Sequence, residues 1–269
     1  MQKQKKLGLA LGAGGWRGLA HIGVIKELLK NNIQIDYIAG SSAGALVGGF
    51  YAACGDIEQV EKIFRENMSY RRLLKTFSDP RLKWGLFEGN KVELLFAKYL
   101  QNKKIEETKI PFCALACDLL TCQVIELKKG LLSRAIHASV AMPFFLQPVE
   151  INDRKLVDGA VAVPIPAKTS KQMGAEVVVA INLNKNVFPL PENHDLSAFA
   201  MARKTTQIMG HHLAEYSQAS ADLVLQPDIK EGKKSTNPFV GFINREDVID
   251  DGAQVVRENI DQIKKMLFE

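Results

Sequence analysis

The chain has 269 residues, of which 46% are hydrophobic and 24% charged, so it is large enough and apolar enough to bury the core of a soluble globular protein. Its formal charge of +5 comes without a run of like charges or a basic stripe with interleaved aromatic residues, which argues against nucleic-acid binding. No apolar stretch approaches the roughly 20 residues that span a bilayer. The basic N-terminal residues are followed by a very short apolar run that ends in glycines and an arginine, which is not the pattern of a secretory signal. We therefore expect a cytoplasmic protein, with any membrane contact peripheral and at the inner membrane face.

Predicted strands and helices alternate along the chain, which indicates an α/β fold with a mostly parallel sheet. In chain order we predict a strand at 7–12, a helix at 16–32, a strand at 35–40, a helix at 45–53, strands at 110–119, 122–127 and 175–183, a helix at 201–218, a strand at 221–229 and a helix at 246–267. The less regular segment 69–90 is either a mobile cap over a site or a surface excursion. Without a linker or an internal repeat, we predict one domain over residues 1–269.

The first glycine-rich motif, Gly-Ala-Gly-Gly-Trp-Arg-Gly at residues 12–18, lies between the first predicted strand and helix. Its backbone N–H groups can turn outward and bind an anion, which is either a phosphate or an oxyanion. A dinucleotide-binding fingerprint would use Asp36 as the acid that binds the ribose. However, Arg17 occupies the third glycine position of that fingerprint, and Asp36 opens its strand instead of ending it. A P-loop is excluded because no Gly-Lys-Ser/Thr follows. We interpret the loop as an oxyanion hole.

The second motif, Gly40-Ser41-Ser42-Ala43-Gly44, joins the strand at 35–40 to the helix at 45–53. A G-x-S-x-G sequence at a strand-to-helix turn is typical of a nucleophile elbow, in which a crowded backbone exposes the serine hydroxyl. The central position between the glycines selects Ser42 as the nucleophile. A purely structural glycine turn is the alternative interpretation.

A nucleophilic serine needs a base, and none of the histidines lies where an ordinary α/β-hydrolase triad has one. Asp158, which follows an apolar run and precedes a glycine, is the better candidate, although a plain turn aspartate would have the same pattern. His211 and His212 lie in the predicted helix at 201–218, where a solvated or core role is expected. The five histidines are His21, His137, His194, His211 and His212.

No metal or cofactor is predicted. The four cysteines contain no C-x-x-C pair and no nearby histidine, so a zinc site among them is disfavoured, and reduced thiols are expected. We found no acidic calcium loop and no His/Asp/Glu cluster at ligand spacing. The cysteines are Cys54, Cys113, Cys117 and Cys122.

Taken together, the motifs at 14–18, 40–44 and 158–160 resemble those of the patatin-like phospholipases, in the same order and context. The resemblance extends through 84–92, 133–151 and 164–183, with Ser139, Pro143 and Pro148 at positions where that family carries them. Compact bacterial members with little beyond the catalytic domain are the most similar. One departure is Ala13, which stands where many members have the first of three glycines.

The resemblance implies a three-layer α/β/α sandwich and a serine hydrolase that cleaves acyl esters of phospholipids, lysophospholipids or related lipids. Ser42 would attack the ester carbonyl and Asp158 would accept its proton, without a histidine. The N–H groups of Gly14, Gly15 and Trp16 would hold the oxyanion. Arg17 would brace that loop, a contact with a lipid phosphate being the minor alternative. The remaining motif glycines are Gly12, Gly18, Gly40, Gly44 and Gly159.

A carboxylate with an ordinary pKa of about 3.9 is a weak base for a hydroxyl, so we expect burial and a bound acyl chain to raise the basicity of Asp158. Activity that depends on lipid occupying the site follows as a hypothesis. Two other classes stay open: a lipid-binding or regulatory protein without catalysis, and a nucleotide-dependent enzyme that uses the loop at 12–18. A homo-oligomer is not indicated.

Overall fold

The computed structural model describes residues 3–67, 87, 89–184, 198–230 and 245–269. Its strands are β1 (Leu7–Leu11), β2 (Tyr37–Ser41), β3 (Phe112–Asp118), β4 (Val124–Leu127), β5 (Val149–Ile151), β6 (Arg154–Asp158), β7 (Val177–Ile181) and β8 (Leu223–Leu225). Its α-helices are α1 (Ala20–Lys30), α2 (Ala43–Cys54), α3 (Ile57–Asn67), α4 (Asn90–Leu100), α5 (Leu132–Ser139), α6 (Ala167–Gln172), α7 (Ala198–Ser217) and α8 (Glu246–Phe268). The predicted cap at 69–90 lies almost entirely outside the described residues.

The strands form one mixed sheet in which hydrogen-bonded pairs link β5-β6-β3-β2-β1-β7-β8, and β4 also pairs with β3. Strands β2 and β6 both pair with the edge of β3 that faces away from β4. Strands β1, β2, β3, β7 and β8 are joined by parallel pairings, as alternating strands and helices predict. The antiparallel members are β4 and β6, which both pair with β3, and β5 forms a hairpin with β6. The α/β fold is confirmed, whereas the β5–β6 hairpin was not predicted.

Helices cover both faces of the sheet. Alternate residues of each strand point to opposite sides, so one strand contributes to the core on both faces. Leu7, Leu9 and Leu11 of β1 belong to the larger core cluster, which includes residues of α1, α2, α5 and α8. Ala10 of β1 belongs to a second cluster with residues of α6, α7 and β7, most of them small. The described helices and sheet therefore form the expected three layers.

Strand β3 determines how β2 and β6 meet. Leu115 pairs with both Glu126 of β4 and Ser41 of β2, and the next residue, Ala116, pairs with β4 and with Asp158 of β6. A strand residue can pair with one neighbouring strand on each side, and β4 occupies one side of both Leu115 and Ala116. Strands β2 and β6 therefore lie along the other edge of β3. They run in opposite directions, so their carboxyl ends meet head to head.

The closing helix α8 packs closely against α1. A Cβ at Gly23 would overlap the Ile249 carbonyl oxygen, and one at Gly252 would overlap the Ala20 carbonyl oxygen. The two glycines therefore allow the helix backbones to touch. Among the described helices, none combines the length and the apolar character that crossing a membrane requires.

Candidate active site

Ser42 lies in a strained turn between β2 and α2. Its φ of 53° and ψ of −120° place a non-glycine residue in a rarely occupied region, and α2 begins at the next residue. Side chains could not be accommodated on either side: a Cβ at Gly40 would lie 2.5 Å from the backbone of Ala45, and one at Gly44 would overlap the carbonyl of Leu11. The elbow geometry therefore requires glycine at both positions of the G-x-S-x-G motif.

The elbow brings Ser42 to Asp158, as the head-to-head strands require. The hydroxyl Oγ of Ser42 donates a hydrogen bond of 2.8 Å to Oδ2 of Asp158. The other carboxylate oxygen, Oδ1, accepts a hydrogen bond of 2.8 Å from the N–H of Ala160, in the 3₁₀ turn Gly159–Val161. Ser42 is 8% exposed and Asp158 is 4% exposed, so the contact lies in a site with little water.

Burial changes the acidity of this carboxyl. Removal from water raises the pKa of Asp158 from 3.8 to about 6, because it disfavours the charged form. The hydrogen bonds from Ala160 and Ser42 stabilise the carboxylate and offset part of this rise. The result is a carboxylate that is ionised at pH 7 and is a stronger base than an exposed aspartate.

The glycine loop lies beside the elbow. Leu11 at the end of β1 pairs with Gly40 at the end of β2, so the chain leaves both strands at the same edge of the sheet. The loop then forms the 3₁₀ turn Gly15–Leu19, and a Cβ at Gly18 would lie 2.5 Å from the Cβ of Ala43, the first residue of α2.

The loop presents unbonded donors. Within the part of the chain that the structure describes, the N–H groups of Gly14, Gly15 and Trp16 form no hydrogen bond. Gly15 has a φ of +57°, and a Cβ there would meet no atom within 4 Å. These N–H groups are therefore available to a ligand.

Arg17 contacts the loop from within. Its backbone N–H and its Nε each donate to the carbonyl of Gly14 at 3.2 Å, and its Nη2 donates to Oδ1 of Asn184 at 3.3 Å. The amide of Asn184 in turn donates to the carbonyl of Ala13 at 3.3 Å. The segment after β7 and the glycine loop are thus tied together.

Two residues around the site, Ser139 and Arg245, were not predicted to contact it. Ser139 is fully buried, and its Oγ accepts the N–H of Ser42 at 3.0 Å. The guanidinium of Arg245 lies 4.2 Å from the centre of the Trp16 ring. The contact partner of Ser139 lies 97 residues away in the chain, so no local pattern could have indicated it.

His21 was also not assigned to the site, although it supports the loop. Its Nε2 lies 2.7 Å from the carbonyl oxygen of Gly12. Burial lowers the pKa of His21 from 6.5 to about 4, so the ring is neutral at pH 7 and donates through Nε2.

The candidates that were disfavoured from sequence lie elsewhere. The carboxylate of Asp36 accepts the N–H of Leu7 at 2.8 Å, at the start of β1 and therefore at the opposite end of the strand from the glycine loop. His137 contacts Glu93 at 3.0 Å. His211 and His212 lie on α7, and the structure does not describe His194.

Residues 9–169 match the sequence model of the patatin-like phospholipases, and this span contains both Ser42 and Asp158. The chain belongs to the patatin-like phospholipase family. The matched span also contains the whole glycine loop and the β5–β6 hairpin, and it ends within α6.

Relatives from distant organisms agree with this family. A protein of the NTE family from Mycobacterium tuberculosis is 35% identical over 179 residues, covering 66% of this chain and 49% of that protein. The human patatin-like phospholipase domain-containing protein 6 is 26% identical over 271 residues, covering 97% of this chain and 19% of the human protein. The chain thus spans half or less of the length of these relatives.

A solved structure shows the same fold. The crystal structure of VipD from Legionella pneumophila has a TM-score of 0.53 at 13% identity, covering 96% of this chain and 67% of VipD. The similarity supports a mixed α/β fold with a central sheet flanked by helices.

Proposed function

We propose that the protein is a serine hydrolase that cleaves acyl ester bonds of phospholipids, lysophospholipids or related lipid esters. The observation that carries the proposal is the hydrogen bond of 2.8 Å from the Ser42 hydroxyl to the Asp158 carboxylate within a strained elbow. A turn serine without a catalytic role has no need for a rare backbone conformation and a buried carboxylate partner. Family membership supports the same class of reaction.

In the proposed reaction, Ser42 Oγ attacks the ester carbonyl carbon while its proton passes to Oδ2 of Asp158. The tetrahedral intermediate collapses with cleavage of the bond to the alcohol, which leaves with that proton, and an acyl-serine remains. Water then attacks the acyl-serine, again giving a proton to Asp158, and the carboxylic acid and free Ser42 are released. A pKa of about 6 for Asp158 suits both the acceptance and the return of the proton near pH 7.

The negative charge on the carbonyl oxygen would be held by the N–H groups of Gly14, Gly15 and Trp16. Their lack of hydrogen-bond partners in the described structure supports this role, because preorganised donors stabilise developing charge without reorganisation. Arg17 would brace the loop through its bonds to the Gly14 carbonyl. The motif glycines would allow the backbones of the glycine loop, the elbow and the turn after Asp158 to approach their neighbours closely. They are Gly12, Gly18, Gly40, Gly44 and Gly159.

Contact with a lipid surface is also part of the proposal. Large apolar side chains are exposed in the segments that follow β3, α5 and Asp158, and an acyl substrate must enter from an apolar phase. A peripheral protein that meets the membrane from the cytoplasm fits this arrangement. These side chains are Leu119, Leu120, Met142, Phe144 and Val161.

The test compares four proteins on a medium-chain chromogenic ester and on lysophospholipid micelles: wild type, Ser42→Ala, Asp158→Asn and Ser41→Ala. Ser41 is the matched control, because its buried hydroxyl lies one residue away and has no partner within the described structure. Wild type and Ser41→Ala should be active, and the other two should lose about three or more orders of magnitude in kcat.

A fluorophosphonate probe, which labels activated serines, provides an independent readout. Wild type and Ser41→Ala should be labelled, and Ser42→Ala should not. Wild type that neither hydrolyses any ester nor reacts with the probe would contradict the proposal and favour a lipid-binding protein without catalysis.

A further inference from the structure

Helix α7 carries a group of three potential metal ligands. The ligand atoms of His211, His212 and Glu215 all lie within 4.8 Å of one another. One carboxylate oxygen of Glu215 lies 3.6 Å from Nε2 of His211, and the other lies 3.7 Å from Nδ1 of His212. The carboxylate thus faces two imidazole nitrogens, one with each oxygen.

These separations are too long for hydrogen bonds but close to those around a metal ion. Hydrogen bonds between nitrogen and oxygen are typically 2.7–3.2 Å long. Ligand atoms around a tetrahedral Zn²⁺, with bonds of about 2.0–2.1 Å, lie about 3.3 Å apart. Side-chain rotations that close the remaining distance, at most 4.8 Å between any two of the ligand atoms, would bring the three atoms to one ion.

The second nitrogen of His211 is oriented for this role. Its Nδ1 lies 2.8 Å from the carbonyl oxygen of Asn184, and a carbonyl only accepts, so Nδ1 carries the proton. With the proton on Nδ1, Nε2 is the nitrogen whose lone pair can bind a metal ion, and it faces Glu215. Histidines that bind metal ions commonly have such a carbonyl partner on the other nitrogen, which fixes the ring and its tautomer.

We propose that His211, His212 and Glu215 form a binding site for a divalent transition-metal ion of the Zn²⁺ class. Two imidazoles and one carboxylate suit Zn²⁺ and similar ions better than Mg²⁺ or Ca²⁺, which prefer oxygen ligands. The side chain of His211 is 23% exposed, and those of His212 and Glu215 are 70% and 54% exposed. The ion can therefore enter from solvent, and water completes its coordination.

An ion at this site would act on the glycine loop through Asn184. The His211 ring holds the backbone carbonyl of Asn184, whose side chain contacts Arg17 and the carbonyl of Ala13. Fixing the His211 ring fixes this chain of contacts from α7 to the loop. The role is structural, and the site does not depend on the proposed hydrolysis.

The test is a calorimetric titration of the untagged 269-residue chain with Zn²⁺, repeated for Glu215→Gln, His212→Gln and Glu258→Gln. Glu258 is the matched control, because it is an exposed carboxylate on another helix, α8, with a glutamine four residues before it. Wild type and Glu258→Gln should bind one ion per chain. Glu215→Gln and His212→Gln should bind at least about tenfold more weakly.

Ser42→Ala should bind Zn²⁺ as wild type does, so the result is independent of whether the protein is a hydrolase. Circular dichroism confirms folding, which these exposed substitutions should not disturb. Absence of stoichiometric binding by wild type, or equal binding by Glu215→Gln and His212→Gln, would overturn the proposal.

Discussion

Substitution of Asp158 by asparagine should stabilise the protein at neutral pH while removing its activity. In the folded chain burial raises the pKa of Asp158 from 3.8 to about 6. Between these pH values the folded state binds more protons than the unfolded state, so stability falls as the pH rises. The favourable contribution of protonated Asp158 to the free energy of unfolding is complete below pH 3.8 and is lost once the pH passes about 6.

The expected magnitude follows from the shift in pKa. A rise in pKa from 3.8 to about 6 corresponds to roughly 3 kcal/mol of folding free energy. Wild type loses this free energy as the pH rises, whereas the asparagine variant, which does not ionise, keeps it. An asparagine keeps the shape and both contacts, because its oxygen can accept the Ala160 N–H and its amide can donate to Ser42. For a chain of 269 residues this corresponds to roughly 5 °C in Tm.

Urea unfolding at pH 4 and at pH 8, followed by circular dichroism, measures the effect. Asp158→Asn should gain stability relative to wild type at pH 8, and the gain should shrink by about 2 kcal/mol at pH 4. Asp250→Asn, at an exposed position of α8, is the control that reports a general change of charge. A gain independent of pH, or a destabilised variant at pH 8, would refute the reasoning.

Three further outcomes are expected. The kcat/KM of wild type should fall about tenfold per pH unit below pH 6 and stay flat just above it, because Asp158 must be ionised. Initial rates measured over a pH series check this, and a midpoint near pH 4 would contradict it. Gly44→Ala should unfold at markedly lower urea because its Cβ would overlap the Leu11 carbonyl, whereas Gly210→Ala, with open space on α7, should gain about 0.5–1 kcal/mol. Ser139→Ala should cost about 1–3 kcal/mol and lower kcat more than it changes KM, because the N–H of the elbow serine loses its acceptor; an unchanged kcat would exclude a positioning role.

The elements that bear local patterns were predictable from sequence. Apolar runs ending in glycine marked β1 and β2, and the glycine spacing around Ser42 marked the elbow, because its constraint acts within five residues. Asp158 was selected as the base because the histidines lacked the right context. The closing helix was also predicted, and its amphipathic pattern extends over more than six turns.

Other parts depend on contacts between distant segments. The β5–β6 hairpin, with strands of three and five residues, has too little length for a periodic signal, and its role depends on pairing with β3. Ser139 was noted only as a family position, and its contact with the Ser42 N–H requires α5 to pack beside α2. The grouping of His211, His212 and Glu215 was missed, although Glu215 follows them by four and three residues in a predicted helix and this spacing places side chains on one face.

The head-to-head meeting of β2 and β6 has a consequence for synthesis on the ribosome. Ser42 emerges early, but its partner Asp158 follows 116 residues later and is placed only when β6 pairs with β3. A nascent chain that has released only β1 to β4 contains the elbow without its carboxylate. The reactivity of Ser42 toward a covalent probe therefore reports the pairing of β6 with β3, and truncated chains should stay unlabelled until β6 has emerged.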